Sequence, residues 1–480
     1  MDPLSSRAAA SAGASPLPEP GPAAQPAPVL GLGHAVTLIV GVVVGAGIFK
    51  APSLVAGMTG SAGWMFAAWL LGGAVSLVGA LCYAELATAY PSAGGDYHFL
   101  RRAYGRPVSF LFGWSRFAVI TTGSIALLAF VFGDYVQQVL PLAVGGRPVG
   151  SAVYAAAVIG VLWWVNARGI RAGAGAQRWL TVAEVGGLLL IVIGALALAG
   201  TGSAAALVPA AGAAGPSLAG FGMAMVFVLL TFGGWNEAAY ISAELKDNRR
   251  NMVRALVASI LLITTLYLLV IWAYWRGLGL QGMARSEAVA ADLMRLAFGA
   301  TGEKLMAVLV AVAAITSINA TMIVGARTSY AVGRDWPALC RLALWDGRRG
   351  TPSTAMHLQN GLALMLVGLG AWSGGGFQSM VEFTAPVFWL FFLLAGLSLF
   401  VLRVREPQAE RPFRVPLYPL LPMIFCATCA YMLWSSLGYV YSQRLGGFNA
   451  AWVGIAVLAA GAVLLLLLLR RAPRGVAVSP

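Results

Sequence analysis

The feature that most constrains this chain is a polar interruption in the middle of a long apolar run. The run extends from Leu218 to Leu245 and is long enough to cross a bilayer as a helix, which takes ~20 residues. Its centre, Thr231 to Glu237, contains two adjacent glycines, an amide and a carboxylate. Glycine weakens a helix by about 1 kcal/mol relative to alanine, and a carboxylate at this depth must face protein or water. Since irregular backbone is tolerated within a membrane only around a buried or water-lined cavity, the stretch predicts a broken helix at a site.

A second interruption, Gly45-Ala46-Gly47, lies in the first apolar span. If spans 1–5 and 6–10 form two halves of the chain, each interruption falls in the first helix of its half. Paired breaks in corresponding helices are typical of secondary transporters built from inverted repeats. The predicted fold is therefore an all-α polytopic membrane protein of ~12 transmembrane helices, a leucine-transporter-like 5+5 inverted repeat with helices 1 and 6 broken.

Composition supports the membrane class. The chain is 59% hydrophobic and only 10% charged, a balance that excludes a soluble domain of 480 residues. We expect a disordered cytoplasmic tail at 1–29, a transport core of ten spans at 30–404, two further spans at 405–471 and a C-terminal tail at 472–480. The predicted spans are 34–57, 63–87, 106–138, 149–167, 177–199, 218–244, 252–276, 302–333, 354–373, 379–402, 416–440 and 449–470.

The net charge of +14 reports membrane orientation and does not indicate nucleic-acid binding. The number of basic residues alternates from one connection to the next. The connections after even-numbered spans contain clusters such as Arg101-Arg102 and Arg348-Arg349, and the connections after odd-numbered spans contain few arginines or lysines. By the positive-inside rule, both termini are predicted to be cytoplasmic, and the basic side chains face the anionic inner leaflet.

Several ordered motifs resemble those of the amino acid–polyamine–organocation superfamily, most closely its L-type amino acid transporter branch. They run from the first span to the approach of span 11, so the resemblance is global. The matching motifs are Gly45-Ala-Gly-Ile-Phe49, Tyr83-Ala-Glu-Leu86 with Pro91-x-x-Gly-Gly-x-Tyr97, Phe232-Gly-Gly-Trp-Asn236 with Ala243-Glu-Leu-Lys-Asp-Asn248, Ser317-x-Asn319 with Arg327-x-x-Tyr330, and Arg411-Pro-Phe-Arg-Val-Pro416.

The resemblance implies a plasma-membrane permease with a central site between spans 1 and 6. Broken helices suit a zwitterion, because restarted helices present free amides to a carboxylate and ended helices present free carbonyls to an ammonium. The carboxylate is expected at the amides of Ala46, Gly47 and Ile48, and the amine at carbonyls near Val43, Leu230 and Gly233. The full predicted substrate-binding set is Val43, Gly45, Ala46, Gly47, Ile48, Leu230, Thr231, Phe232, Gly233, Trp235, Asn236 and Glu237, with Trp235 and Phe232 shaping the side-chain end.

Three departures from the family pattern carry information. Leu230 stands where the family often has an aromatic gate. Residues 141–149 contain no cysteine, so a disulfide-linked heavy subunit is not expected. Glu184 stands where many members place a span-5 lysine that occupies a sodium position. Glu184 could exchange a proton, or it could hold sodium together with Ser317, because hard cations prefer oxygen ligands.

The remaining intramembrane charges keep two interpretations each. Glu237 either recognises a substrate cation or takes part in proton coupling, or it holds the break in shape through backbone amides. Glu85 and Glu244 lie near cytoplasmic span ends, where Arg327 could pair with one of them in an inner gate or all three could be solvated. Lys50, just past the first break, lies either near the outer vestibule or snorkels to the interface, and snorkelling is the favoured expectation.

The predicted function is secondary active amino acid transport, either proton-coupled or by exchange. A cationic amino acid or polyamine substrate, a sodium-coupled variant and a non-transporting amino acid sensor stay open as alternatives. Isolated carboxylates at breaks do not form the polar lining of a channel. No nucleophile–base or metal constellation indicates an enzyme, and no cofactor is expected beyond a coupling proton or sodium ion. The Cys426-x-x-Cys429 pair lies in an apolar run, and the three histidines are scattered.

Overall fold

The computed structural model describes residues 31–92, 94–144, 147–168, 174–200, 215–346, 352–442, 444–445 and 448–471. The predicted tails at 1–29 and 472–480 lie outside the described residues. The α-helices are α1 Leu32–Val43, α2 Ala51–Thr59, α3 Ala62–Ala89, α4 Gly95–Tyr104, α5 Arg106–Ser115, α6 Thr122–Val139, α7 Gly150–Arg168, α8 Ala174–Gly200, α9 Leu218–Thr231, α10 Asn248–Arg285, α11 Val289–Asp335, α12 Ser353–Ser373, α13 Gly376–Arg405, α14 Leu420–Ser442 and α15 Ala450–Arg471.

Short irregular elements join these helices. A π-helical turn, Arg116–Thr121, links α5 to α6, and 3₁₀ segments cover Ala46–Phe49, Trp235–Glu244 and Pro337–Ala343. Two antiparallel hairpins are the strands found among the described residues: β1 Ala143–Val144 with β2 Arg147–Pro148, and β3 Arg444–Leu445 with β4 Phe448–Asn449. The fold is therefore helical, as predicted.

Eight helices of the described chain are long and apolar enough to cross a membrane, which confirms a polytopic membrane protein. They are Ala62–Ala89, Arg106–Val139, Gly150–Arg168, Thr181–Ala199, Arg249–Arg285, Val289–Asp335, Gly376–Arg405 and Leu420–Gly438. Three shorter apolar helices, Leu32–Val43, Leu218–Thr231 and Ala456–Arg470, accompany them. Two of these three are α1 and α9, the helices in which the sequence predicts breaks.

Helix α9 lies at the centre of the fold. Every residue from Gly222 to Leu229 is buried, with none of the polar face that a surface helix shows. It packs against α2, α3 and α14, while α1 packs against α8 and α10. Outward-facing side chains such as Leu70, Trp164 and Met365 are exposed and apolar, as a lipid-facing surface requires.

Candidate functional site

The first break separates α1 from α2. Helix α1 ends at Val43, Gly45 is extended with φ −100° and ψ −170°, and a single 3₁₀ turn, Ala46–Phe49, follows before α2 begins at Ala51. The first amides of a 3₁₀ turn have no acceptor within that turn. The amides of Ala46, Gly47 and Ile48 occupy those positions. The break therefore lies where the glycines predicted it.

The second break follows α9. That helix ends at Thr231, and Gly234 adopts a left-handed conformation with φ 109° before the 3₁₀ segment Trp235–Glu244 begins. A side chain at position 234 would be strained in that conformation and would also meet the Val42 carbonyl oxygen at 3.2 Å. Glycine here is required both by backbone geometry and by the close approach of α1.

The two breaks contact each other. A Cβ atom added to Gly47 would lie 3.4 Å from the Thr231 hydroxyl oxygen, and one added to Gly45 would lie 3.8 Å from the Ser317 hydroxyl oxygen. The first break therefore lies between the end of α9 and the middle of α11. The structure thus brings Gly45, Gly47, Thr231 and Ser317 together, as the site hypothesis requires.

Tyr267 of α10 joins the two helix ends. Its buried hydroxyl lies 3.0 Å from the Val43 carbonyl oxygen and 3.2 Å from the Thr231 carbonyl oxygen, and it can donate to either. The Val43 carbonyl also accepts the Gly45 N–H at 2.8 Å, and the Leu230 carbonyl accepts the Gly233 N–H at 3.1 Å. Two carbonyls predicted to receive a substrate amine therefore already have protein donors in this conformation.

Phe232 and Trp235, predicted to shape the side-chain end of the site, are buried in aromatic clusters. Phe232 packs against Trp69 and Tyr267, with ring centroids 6.1 and 5.0 Å away. Trp235 contacts Tyr83 edge-on at 5.2 Å, and Gly79 leaves room for its indole. Both rings therefore anchor the second break to neighbouring helices.

Glu237 is held by an arginine that the sequence analysis did not single out. Arg116 Nη2 lies 3.1 Å and 3.4 Å from the two Glu237 carboxylate oxygens. The Arg116 side chain is 10% exposed and that of Glu237 is 30% exposed. The Glu237 amide donates to the Gly234 carbonyl. The carboxylate's partner is thus a side chain from the π-helical turn of the third span, and π-turns are frequent at functional sites.

Asp96, at the start of the short helix α4, completes this cluster. It is 4% exposed and interacts electrostatically with both Arg116 and Glu237. Burial raises the pKa of Asp96 to about 6, although Tyr83, Arg116 and Asn236 beside it oppose that shift. Asn236, predicted to line the pocket, is buried and faces this carboxyl group.

Glu184, the predicted ion-coupling residue, is 3% exposed on α8. Its Oε2 atom has no hydrogen-bond partner among the described residues. The carboxyl group is close enough to Tyr267 to interact with it electrostatically. Helix α8 packs against α1, α10 and α11, so Glu184 lies on a helix that contacts the first break and the helix bearing Ser317.

The snorkelling predicted for Lys50 is wrong. Its side chain is 7% exposed, and Nζ lies 2.8 Å from an Asp134 oxygen and 2.6 Å from a Glu287 oxygen. Asp134 also accepts a hydrogen bond from Ser151. Two carboxylates from distant parts of the chain neutralise the Lys50 ammonium, which water at the membrane interface would otherwise solvate. This cluster ties the second half of broken helix 1 to α6 and to the α10–α11 connection.

Of the two carboxylates with which Arg327 could pair, Glu85 is bound by other arginines in this structure. Glu85, 2% exposed, receives Arg403 Nη2 at 2.6 Å, Arg411 Nε at 3.6 Å and the Val415 amide. Arg327 is exposed on α11. The Glu244 side chain lies outside the described part of the molecule. The nearer arginines, carried by α13 and the segment after it, saturate Glu85.

Sequence reasoning missed Arg116, Asp96, Asp134 and Tyr267. An arginine within the apolar run 106–138 was itself a signal, because intramembrane charges mark functional or paired sites. Tyr267 gave no such signal, since a tyrosine in an apolar helix is ordinarily core or interfacial. Among the described residues, no group of three or more histidine, cysteine, aspartate or glutamate side chains is arranged to hold a metal ion.

Comparison of the sequence with known proteins places the chain in a family. A family model described as amino acid permease matches residues 30–465. The chain is 30% identical to the b(0,+)-type amino acid transporter 1 of Homo sapiens over 84% of this chain and 81% of the relative. It is 31% identical to the Asc-type amino acid transporter 1 of Mus musculus over 84% and 75% of the two chains. It is 29% identical to the large neutral amino acids transporter small subunit 2 of Mus musculus over 85% and 76%.

Proposed function

Because the chain belongs to the amino acid permease family, in the L-type branch of the amino acid–polyamine–organocation superfamily, we propose that it moves amino acids by alternating access through the site between its broken helices. The observation that carries the proposal is the contact of the two breaks, Gly47 against Thr231, with Tyr267 bridging the helix ends. Free amides on one break and helix-end carbonyls on the other suit a zwitterion.

The proposed architecture has twelve spans and two inverted repeats in the plasma membrane. The first repeat would run from α1 to α8 and the second from α9 to α13, each beginning with a broken helix. The alternation of basic residues favours cytoplasmic termini. The absence of cysteine from 141–149 argues against a disulfide-linked subunit at that connection.

Substrate recognition is proposed at the breaks themselves. The carboxylate would accept hydrogen bonds from Ala46, Gly47 and Ile48 amides. The ammonium would take the place of the Tyr267 hydroxyl or the Gly233 amide at the end of α9. Since those carbonyls now have protein donors, substrate binding requires a rearrangement that substrate contacts must offset.

Two polar clusters on opposite sides of the breaks are candidates for the gates. Lys50, Asp134 and Glu287 join elements on the external side, and Glu85 with its arginines joins elements on the cytoplasmic side. Each cluster crosses between parts of the chain that an alternating-access cycle must separate. A conformation with both clusters formed would occlude the site.

For energy coupling we propose Glu184. A buried carboxylate next to Tyr267 can bias the bridge between the helix ends when its charge changes. A proton would neutralise that charge, and a sodium ion shared with Ser317 would compensate it. Substrate exchange without a driving ion is the second candidate.

The test is uptake of a panel of radiolabelled amino acids and polyamines by proteoliposomes. The conditions are an inward proton gradient, an inward sodium gradient, no gradient, and preloaded substrate. We expect accumulation of amino acids and not of polyamines, which lack the carboxylate for the Ala46–Ile48 amides. Gradient-driven accumulation identifies a symporter, and flux only with preloaded substrate identifies an exchanger. Saturable binding with no flux under any condition would contradict transport and indicate a sensor.

The same assay tests Glu184. Glu184→Gln should abolish gradient-driven accumulation and spare exchange of preloaded substrate. Glu410→Gln, which changes a side chain 72% exposed in a surface ion pair, is the matched control and should behave as wild type. Unchanged coupling in Glu184→Gln would remove this residue from the mechanism.

A further inference from the structure

Glu237 lies close to the proposed binding region. It follows the left-handed Gly234, which touches Val42, by three residues of 3₁₀ helix. At ~2 Å of rise per residue, its Cα atom lies about 6 Å along the helix from Gly234. Its side chain is 30% exposed, so a solute can reach it, whereas Asp96 is 4% exposed.

A carboxylate at such a position would ordinarily recruit a cation from the substrate. Here the protein supplies its own. Arg116 places Nη2 within 3.4 Å of both Glu237 oxygens from a side chain that is 10% exposed. Charge-assisted hydrogen bonds of this kind are among the strongest in proteins, and a guanidinium stays protonated at all physiological pH values.

We infer that Arg116 is a specificity-determining residue that occupies the place of a substrate cation at Glu237 and thereby excludes cationic side chains from the site. The inference rests on the proposed transport function and names its substrate class, neutral amino acids. A lysine or arginine substrate would have to displace Arg116 or lie beside it, and like charges this close repel. A neutral side chain neither has to displace Arg116 nor is repelled by its charge.

The backbone also favours a fixed position for Arg116. It is the first residue of the π-helical turn Arg116–Thr121, between α5 and α6, and α11 and α13 both pack against this turn. A guanidinium held by a packed turn loses little conformational freedom when it pairs. A free substrate ammonium must lose translational freedom to make the same contact. Arg116 therefore pairs with Glu237 at a lower entropic cost than a substrate ammonium would.

The experiment measures uptake of radiolabelled L-alanine, L-leucine, L-phenylalanine and L-lysine into proteoliposomes with preloaded substrate. Wild type should take up neutral substrate and reject lysine. Arg116→Gln should raise lysine uptake relative to the neutral substrates at least about tenfold, a change in discrimination of about 1.4 kcal/mol. Arg116→Lys, which keeps a cation, should still exclude lysine.

Further variants separate this effect from misfolding and from changes in overall charge. Arg116→Gln/Glu237→Gln removes both charges and should again reject lysine, because the recruiting carboxylate is gone. Arg249→Gln removes one positive charge from an ion pair with both side chains more than 60% exposed and should match wild type. If Arg116→Gln does not fold, inhibition of wild-type neutral uptake by excess lysine decides, and inhibition as strong as by leucine overturns the inference.

Different results would overturn the role of Arg116 and the proposed transport function. Neutral uptake with an unchanged neutral-to-lysine ratio in Arg116→Gln overturns the role of Arg116 and leaves the transport function standing. No uptake of any amino acid by the folded wild-type protein overturns the transport function itself.

Discussion

At the scale of single residues, Tyr267 is the side chain on which the proposed site depends most. One buried hydroxyl lies within hydrogen-bond distance of the carbonyls that end both central helices, 3.0 Å from Val43 and 3.2 Å from Thr231. Helix-end carbonyls have no partner within their own helix. The hydroxyl offers a donor to the Thr231 carbonyl, while the Val43 carbonyl also accepts the Gly45 N–H. It also couples the positions of the two breaks.

Tyr267→Phe should therefore destabilise the protein and weaken substrate binding. Leaving a buried carbonyl without its donor costs about 1–3 kcal/mol, and the helix ends lose their common link. The measurements are the thermal unfolding midpoint in detergent and the KM for uptake. Tyr154→Phe is the control, since its hydroxyl also donates to a helix-end carbonyl, that of Leu140, but in an exposed location. Equal effects of the two variants would contradict a special role for Tyr267.

At the scale of elements, the cluster of Lys50, Asp134 and Glu287 shows how a buried cation holds helices together. Lys50 belongs to the broken first helix, Asp134 to α6 and Glu287 to the connection before α11. The Asp134 and Lys50 side chains are 15% and 7% exposed, while Glu287 is 78% exposed. The Lys50–Asp134 contact is therefore the one shielded from solvent, and it carries most of the interaction.

Lys50→Met should lower stability by about 3–5 kcal/mol, the usual cost of leaving one member of a buried ion pair without its partner. Lys50→Met/Asp134→Asn should recover part of that loss, because it removes the orphaned charge. Thermal unfolding of purified protein measures both. A double variant no more stable than Lys50→Met would indicate that the cluster acts by packing alone.

The short helix α4 gives a prediction that depends on pH. Burial raises the pKa of Asp96 from its ordinary 3.8 to about 6 in the folded chain. Between these two values the folded chain holds a proton that the unfolded chain releases, so stability must fall as pH rises from about 4 to about 6. The total change is up to about 3 kcal/mol, since one unit of pKa corresponds to 1.36 kcal/mol.

Asp96→Asn should remove this fall, because asparagine does not titrate. The measurement is the unfolding midpoint in detergent from pH 4 to pH 7, as the difference between variant and wild type. Glu410→Gln controls for the loss of an exposed carboxylate. A constant difference across this range would refute the raised pKa.

Local features of the fold could be predicted from sequence, while long-range pairings could not. The glycines at 45–47 and 233–234 weaken helices wherever they stand, so both breaks fall where they were expected. The partner of Lys50 depends instead on which carboxylates the fold brings near, and Glu287 is 237 positions away. The partner of Glu85 is Arg403, 318 positions away on α13, and not Arg327, which the sequence offered as one possibility.

At the scale of the whole molecule, two broken helices meet at the centre of the fold, and we propose that the substrate binds between them. Gly47 is a point of close contact in that meeting, with a Cβ position 3.4 Å from the Thr231 hydroxyl oxygen. A branched side chain there would fill the space beside the amides of Ala46 to Ile48. The same change at Gly361 of α12, where a Cβ meets nothing within 4 Å, should be harmless to the site.

The most direct measurement is uptake of radiolabelled amino acid by proteoliposomes preloaded with the same amino acid, for wild type, Gly47→Val and Gly361→Val. We expect saturable uptake by wild type and Gly361→Val. We expect loss of uptake in Gly47→Val while that variant still unfolds cooperatively. Wild-type uptake retained in Gly47→Val would contradict a substrate site between the two breaks.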